Sequence, residues 1–269
     1  MKVTVQSGVG NPVHNSRNYD LEKSVHVDAS RTSLNKYLSI YKDIPDNFVE
    51  VEKRFYAENF KDWLEVIKES AIQSRHKERI KTSEKLRKGT KTKPQEILYQ
   101  IGDRNEAPTP KEFRKWVNDV LAYHHKITKG YGKVLNVAIH HDEETPHAHV
   151  RQVWVYKEKG DGEKEYLRIG KEKALEAAGI PLPNPDEPVG RYNNRAVTYT
   201  RLMREFAEAR AQEMGFDIDT TRSSRKHMEK DDYIAWKKAQ ESERHISQSD
   251  KKEVIADELE GFIQDDGLR

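Results

Sequence analysis

The chain contains no cysteine, which excludes disulfides and thiolate ligands and restricts any transition-metal site to histidine, aspartate and glutamate. It also lacks any run of about 18 apolar residues, the length a helix needs to span a bilayer. Its first residues, MKVTVQSGVG, do not have the basic-then-apolar layout of a secretory signal. Together these absences make the cytoplasm the expected address. No internal repeat is visible, and a length of 269 residues suits one large domain, or a main domain with an appendage.

Net charge is also nearly absent at +2, but the charges are segregated. Residues 75–93 hold nine Lys/Arg against two Glu, and residues 250–269 hold seven Asp/Glu against three Lys/Arg. A basic block of that density can neutralise phosphates and gain from counterion release, although taken alone it also fits a solvated helical face.

The hydrophobic pattern alternates between periods of 2 and 3.6. Residues 1–6 read as a short strand, broken by Gly8, Gly10 and Pro12, with HNSR in a loop. From 45 to 74, Phe48, Val51, Phe55, Phe60, Trp63 and Ile67 recur at helical spacing after Asp46 or Asn47 as N-cap. The basic block is expected to continue as a second helix ending near Gly89. EILYQIGD (96–103) reads as a strand, and TPKE (109–112) as a capping box opening a helix. KVLNVAIH, with Leu135, Val137 and Ile139 on one face, and HAHVRQVWVY read as an antiparallel hairpin around HDEETP. KGDG (159–162) reads as a turn, 179–190 as a proline-rich loop, 194–214 as a helix closed by Gly215, and FDI as a short strand. Beyond these elements the C-terminal tail is charged and is expected to be helical or loosely ordered.

The segment HHDEETPHAHV (140–150) concentrates four of the eleven histidines. On a strand, His147 and His149 leave the same face, and His140 faces them across the loop while His141 points away. Three neutral imidazoles on one face with open positions are the pattern of a catalytic metal centre. Glu143, and Asp142 beside it, can support a ligand. Pro146 rules out a zincin helix through the cluster. An isolated HxH pair also occurs by chance, so the weight rests on the third histidine.

Near the N-terminus stand His14, Asn15 and Arg17 (HNSR), then Asp28, Ser30, Arg31 and Asn35. With His140, Asp142, Glu143, Pro146, His147 and His149, in that order and spacing, the chain resembles the MobV/Pre family of plasmid mobilisation relaxases, or plasmid recombination enzymes, over about residues 1–230. The resemblance extends to EMGFDIDTTRSSRKH (213–227). It implies the HUH endonuclease fold, of class α+β with a central antiparallel sheet flanked by helices, with a relaxase domain over 1–230 and a tail over 231–269. It further implies metal-dependent, site- and strand-specific nicking of single-stranded or hairpin DNA at a transfer origin, a covalent 5′-phosphate adduct, and later rejoining.

The resemblance makes His14 the nucleophile, with Tyr19 its rival, and His140, His147 and His149 the holders of a divalent cation, Mn²⁺ first and Mg²⁺ second. Arg17 and Glu143 complete the catalytic set. Asn15, Arg31, Asn35, Arg75, Lys77, Arg79, Lys81, Lys85, Arg87, Lys88, Lys91 and Lys93 are the expected DNA contacts, although Arg31 and Asn35 suit a purely structural role equally well. Tyr99, Trp154 and Tyr156 are weaker stacking candidates that also read as core. Other mobilisation or conjugation proteins are the expected partners. Rival readings are a rolling-circle replication initiator using Tyr19, a three-histidine iron oxygenase, and a non-enzymatic metal-stabilised DNA-binding protein.

Overall fold

The computed structural model describes residues 1–8, 10–20, 24, 27–103, 105–160 and 165–221, of which Met1–Thr220 form one compact unit. The expected C-terminal tail lies outside the described residues, as do residues 222–227 and part of the KGDG turn. Six antiparallel strands make the sheet: β1 (Val3–Gly8), β2 (Lys36–Ser39), β3 (Gln95–Ile101), β4 (Gly132–His140), β5 (His147–Lys159) and β6 (Glu165–Ile169). Their order is β1-β3-β5-β4-β2, with β6 pairing the far end of β5.

Helices cover both faces. On one lie α5 (Pro110–Thr128), α6 (Lys171–Ala178) and α7 (Arg195–Glu213), which bury Trp116, Val120, Leu175, Tyr199 and Met203 against Ile97, Tyr99, Val137, Ile139 and Val150. On the other lie α2 (Phe48–Asn59), α3 (Lys61–Gln73) and α4 (Ser83–Lys88). They bury Val51, Phe55, Phe60, Trp63 and Leu86 against Leu135, Val153 and Val155. The second cluster covers only part of its face. The end carrying β5's first residues is left to polar groups, and there the histidines sit.

Local sequence explains several boundaries. Thr109 and Glu112 form the expected reciprocal capping box of α5. Asn47 caps α2 through Glu50 N, and Asn194 caps α7 through Val197 N. Gly102 ends β3 at a left-handed φ of 78°, a conformation that glycine adopts without steric cost.

Other expectations need correction. The single helix over 45–74 is two, broken at Phe60, where the preceding Asn59 turns its amide back onto Phe55 O at 2.9 Å. The basic block is a 3₁₀ turn at Lys77–Arg79 followed by the short α4. HNSR is not all loop: α1 (Pro12–Asn15) is a single turn capped by Asn11, with Pro12 in its first turn. Residues 216–218 join no sheet ladder; Met1 instead ties Asp217 and Asp219 by main-chain bonds. Leu135 does not share a face with Val137 and Ile139, because a β-bulge between Val134 and Asn136 reverses side-chain parity. The loop at 179–190 is irregular as expected but internally fastened. Asn193 Nδ2 donates to the carbonyls of Asn184, Glu187 and Pro188. No described helix is long and apolar enough to cross a membrane.

Candidate active site

The hairpin register sets His140 opposite His147 and Ala138 opposite His149. All three imidazoles therefore leave one face, with ring centroids 4.8–5.3 Å apart. The outer nitrogen of each is engaged. His140 Nε2 donates to Asn15 O at 2.9 Å, His147 Nδ1 to Thr145 O at 2.8 Å, and His149 Nδ1 to Glu96 Oε1 at 2.9 Å. A carbonyl or carboxylate only accepts, so each of those nitrogens carries the proton and the lone pair is left on the other.

His140 Nδ1 and His149 Nε2 are buried with no hydrogen-bond partner. Burial, together with the charges of His149 and Arg17, lowers His147 to about 4, and burial, with the charge of Arg17, holds His140 still further below the usual range. Neutral imidazoles with bare lone pairs, each steadied by an N–H acceptor behind it, fit a divalent cation.

The three histidines do not make one compact donor set by themselves. Ligand atoms of His14, His140 and His149 lie within 4.8 Å of one another, and so do those of His140, Glu143 and His147. Glu143 is thus more than a support behind the ligands. Its Oε1 lies 4.0 Å from His140 Nδ1, 3.9 Å from His147 Nε2 and 3.5 Å from His14 Nε2. Two donors each about 2.1 Å from one ion stand about 3–4 Å apart, so this spacing also suits a shared cation.

α1 delivers His14 from the other side. Its ring lies 6.1 Å from that of His140 and 5.9 Å from that of His149, and its side chain keeps 40% exposure. Arg17 Nη1 lies 3.2 Å from His14 Nε2. A guanidinium has only donors, so in the neutral ring Nε2 is the acceptor and its lone pair is directed at Arg17. Tyr19 stacks on His14 at 5.9 Å, and its hydroxyl accepts from Arg17 Nη1 at 3.4 Å.

Arg17 adopts a left-handed φ of 54°. Its buried guanidinium donates twice to Asp142, at 3.0 and 2.6 Å, and once to Glu143 at 2.6 Å. Burial opposes its charge, but the bonds and charges of these two carboxylates outweigh burial and raise it above the usual range. In return Glu143, despite its own burial, is held well below the carboxylate range by His14, His147 and Arg17.

Several expected DNA contacts turn out to be scaffold. Asn15 is 1% exposed, its amide donating to Glu96. Asn35 is buried; it accepts from His141 N at 2.7 Å and donates to Asp142 Oδ2 at 2.6 Å, so it braces the loop after β4 rather than facing solvent. Arg31 is committed to Asp28 and to Glu143 O. Arg87 is committed to Glu84 and Glu52, and Lys88 to Glu84. Arg75, Lys77, Arg79, Lys81, Lys85 and Lys91 are exposed and Lys93 is half-buried. Tyr99, Trp154 and Tyr156 are core. His141 packs edge-on against Phe113, away from the cluster.

The residue that sequence reasoning missed is Glu96. Its signal was faint: an acidic side chain opening an apolar strand, on the parity opposite Ile97 and Tyr99.

A family profile for plasmid recombination enzymes matches residues 41–178. No curated protein sequence matches the chain. Among solved structures, a Mn-bound MobM relaxase domain on plasmid pMV158 oriT DNA at pH 6.8 aligns with a TM-score of 0.51 at 14% identity, over 87% of this chain and 98% of that one. A second MobM–oriT complex, at pH 4.6, gives 0.49 at 14% identity, over 87% and 100%. At this identity the likeness establishes the shared fold.

Proposed function

The chain belongs to the plasmid recombination enzyme family, and from that premise we propose that it is a relaxase of the bacterial cytoplasm. It nicks one strand of single-stranded DNA at the transfer origin of a plasmid or mobile element and later reseals it. The relaxase unit is assigned to residues 1–230. The observation that carries the reading is the meeting of His14 with His140 and His149, a reactive imidazole brought by a separate helix to a set of bare imidazole nitrogens.

His14 Nε2 attacks the scissile phosphorus, forming a P–N bond while the P–O3′ bond breaks. The 3′ oxygen leaves with the bonding electrons and takes up a proton, and the imidazole sheds its Nδ1 proton. The 5′ phosphate remains joined to the protein as a phosphoramidate. Attack by a 3′-hydroxyl reverses the step, so resealing needs no nucleotide triphosphate. Arg17 orients His14 and holds Glu143 ionised beside it.

His140, His147 and His149, with Glu143, would hold a divalent cation, Mn²⁺ first, which when bound polarises phosphate oxygens and offsets developing charge. Support for that cation and for origin DNA as substrate comes from the MobM complexes, which are Mn-bound and carry oriT DNA. Arg75, Lys77, Arg79, Lys81, Lys85, Lys91 and Lys93 supply the cationic surface for the DNA backbone.

The test is incubation with single-stranded oligonucleotides from the neighbouring element, with and without Mn²⁺, followed by a denaturing gel. An acid-labile adduct lost in His14→Ala and kept in Tyr19→Phe is expected. Absence of any adduct overturns the relaxase reading. The reverse pattern of variants moves the nucleophile to Tyr19, as a rolling-circle initiator would have it.

A further inference from the structure

We propose that Glu96 is a positioning residue of this site, a clasp that locks the helix carrying His14 onto two of the histidines facing it. The inference rests on the function proposed above but assigns a role to a residue outside the HNSR and HHDEETPHAHV segments.

The clasp is a chain of three hydrogen bonds running from His149 to His140. Glu96 Oε1 accepts from His149 Nδ1 at 2.9 Å, and Oε2 accepts from the side-chain amide of Asn15. Asn15 O in turn accepts from His140 Nε2 at 2.9 Å. One carboxylate therefore orients the ring of His149 directly. Through Asn15 it also fixes both the orientation of His140 and the seat of α1. Histidine ligands depend on such partners for ring orientation and basicity.

Glu96 is itself held. It stands on a central strand directly opposite Arg151, whose Nη1 is 3.7 Å from Oε2 and whose Nε donates to Glu52 Oε1 at 2.5 Å. Glu52, buried at 1% exposure, is paired in turn with Arg87 at 3.3 Å. The approach to α1 is shaped around the same carboxylate. Gly10 has a φ of 64°, and any Cβ there would fall inside the Glu96 carboxyl group. A side chain at this point would push the Glu96 carboxylate aside and strain the backbone.

A glutamate that merely fills space would change stability without selectively changing cation affinity. The test is therefore a Mn²⁺ titration read by the paramagnetic resonance signal of the free ion, on the wild type, Glu96→Ala, Glu96→Gln and Gly10→Ala, with circular dichroism to check folding. Glu96→Ala is expected to weaken Mn²⁺ binding by about 10- to 100-fold. Glu96→Gln keeps an oxygen acceptor for His149 and is expected to retain most of the affinity. Gly10→Ala is expected to fall between them.

If Glu96→Ala does not fold, Gly10→Ala carries the test. Wild-type affinity in a folded Glu96→Ala or Gly10→Ala overturns the clasp and leaves the relaxase reading standing. A wild type that binds no Mn²⁺ overturns the cation itself, and the clasp with it.

Discussion

The two faces of β5 solve opposite problems with alternate residues of one strand. Ala148, Val150 and Trp154 enter an apolar core against α5, α6 and α7, whereas His147, His149 and Arg151 are just as buried on the other side among Glu96, Glu52 and Arg17. The apolar face is held by non-directional burial, so what matters there is volume and shape. The polar face is tolerable only because nearly every charge has a geometrically specific partner, and burying such groups seldom adds net stability. A fold that accepts that cost over one end of its sheet is preserving a site. Two nitrogens without a hydrogen-bond partner, His140 Nδ1 and His149 Nε2, lie buried on that polar face.

The largest break in this contrast is expected from Arg17. Truncation to alanine leaves Asp142, at 0% exposure, as an uncompensated buried carboxylate and removes the brace between Glu143 and His14. We expect a loss of about 3–5 kcal/mol in urea unfolding. Arg17→Lys should recover only part of it, because one ammonium cannot reproduce the paired bonds to Asp142. A loss below about 1 kcal/mol, the range of an exposed pair, would mean that the polar face is not self-supporting in this way.

The same contrast explains what could be read from sequence. Local signals were legible: the Thr109–Glu112 box, the Asn47 cap, and the parity that separates His141 from its three neighbours. The hairpin register followed from one loop and two strands, and it brought the histidines together. Partners distant in the chain were not legible. Nothing in EILYQIGD says that β3 will lie beside β5 and present Glu96 to His149. The bulge that reverses Leu135 also has no local marker, and the short β2, β6 and α6 are too brief to show a period. Asn15, Arg31 and Asn35 were read as outward contacts because polar residues near a motif look like ligand contacts. Their bonds to Glu96, Asp142 and Glu143 only appear once β3, the 28–35 segment and the loop after β4 meet.

The apolar face carries its own titratable test. His124, between Tyr199 OH at 2.9 Å and Gly132 O at 3.0 Å, is buried, and burial lowers it from 6.5 to about 4. The folded state thus resists a proton that the unfolded chain accepts below about 6.5. Stability from this residue is fully present above that pH, falls as pH drops from 6.5 towards 4, and is constant below. At about 1.4 kcal/mol per unit the whole change is about 3 kcal/mol. A His124→Gln variant should show a correspondingly shallower slope of unfolding free energy across that window. An unchanged slope would show that His124 takes up its proton without unfolding.

Cation binding should act on the polar face alone. At a Mn²⁺ concentration about 100 times the dissociation constant, linkage predicts about 2.7 kcal/mol of added stability, read as a rise in the thermal midpoint. His149→Ala should abolish most of that rise. A rise that survives the substitution would place the ion elsewhere.

The smallest expected effect is the sharpest separation of the faces. Ile139 adjoins His140 in the chain but points into the apolar core at 0% exposure. Ile139→Val removes one methylene there and is expected to cost about 0.5–1.5 kcal/mol. Because the ring of His140 is held from the opposite side by Asn15 O, the Mn²⁺-induced rise should be the same in the variant as in the parent. If the rise shrinks along with the stability, the packing of one face sets the geometry of the other. The strand would then have to be treated as a coupled layer, with β4 transmitting a core cavity to His140.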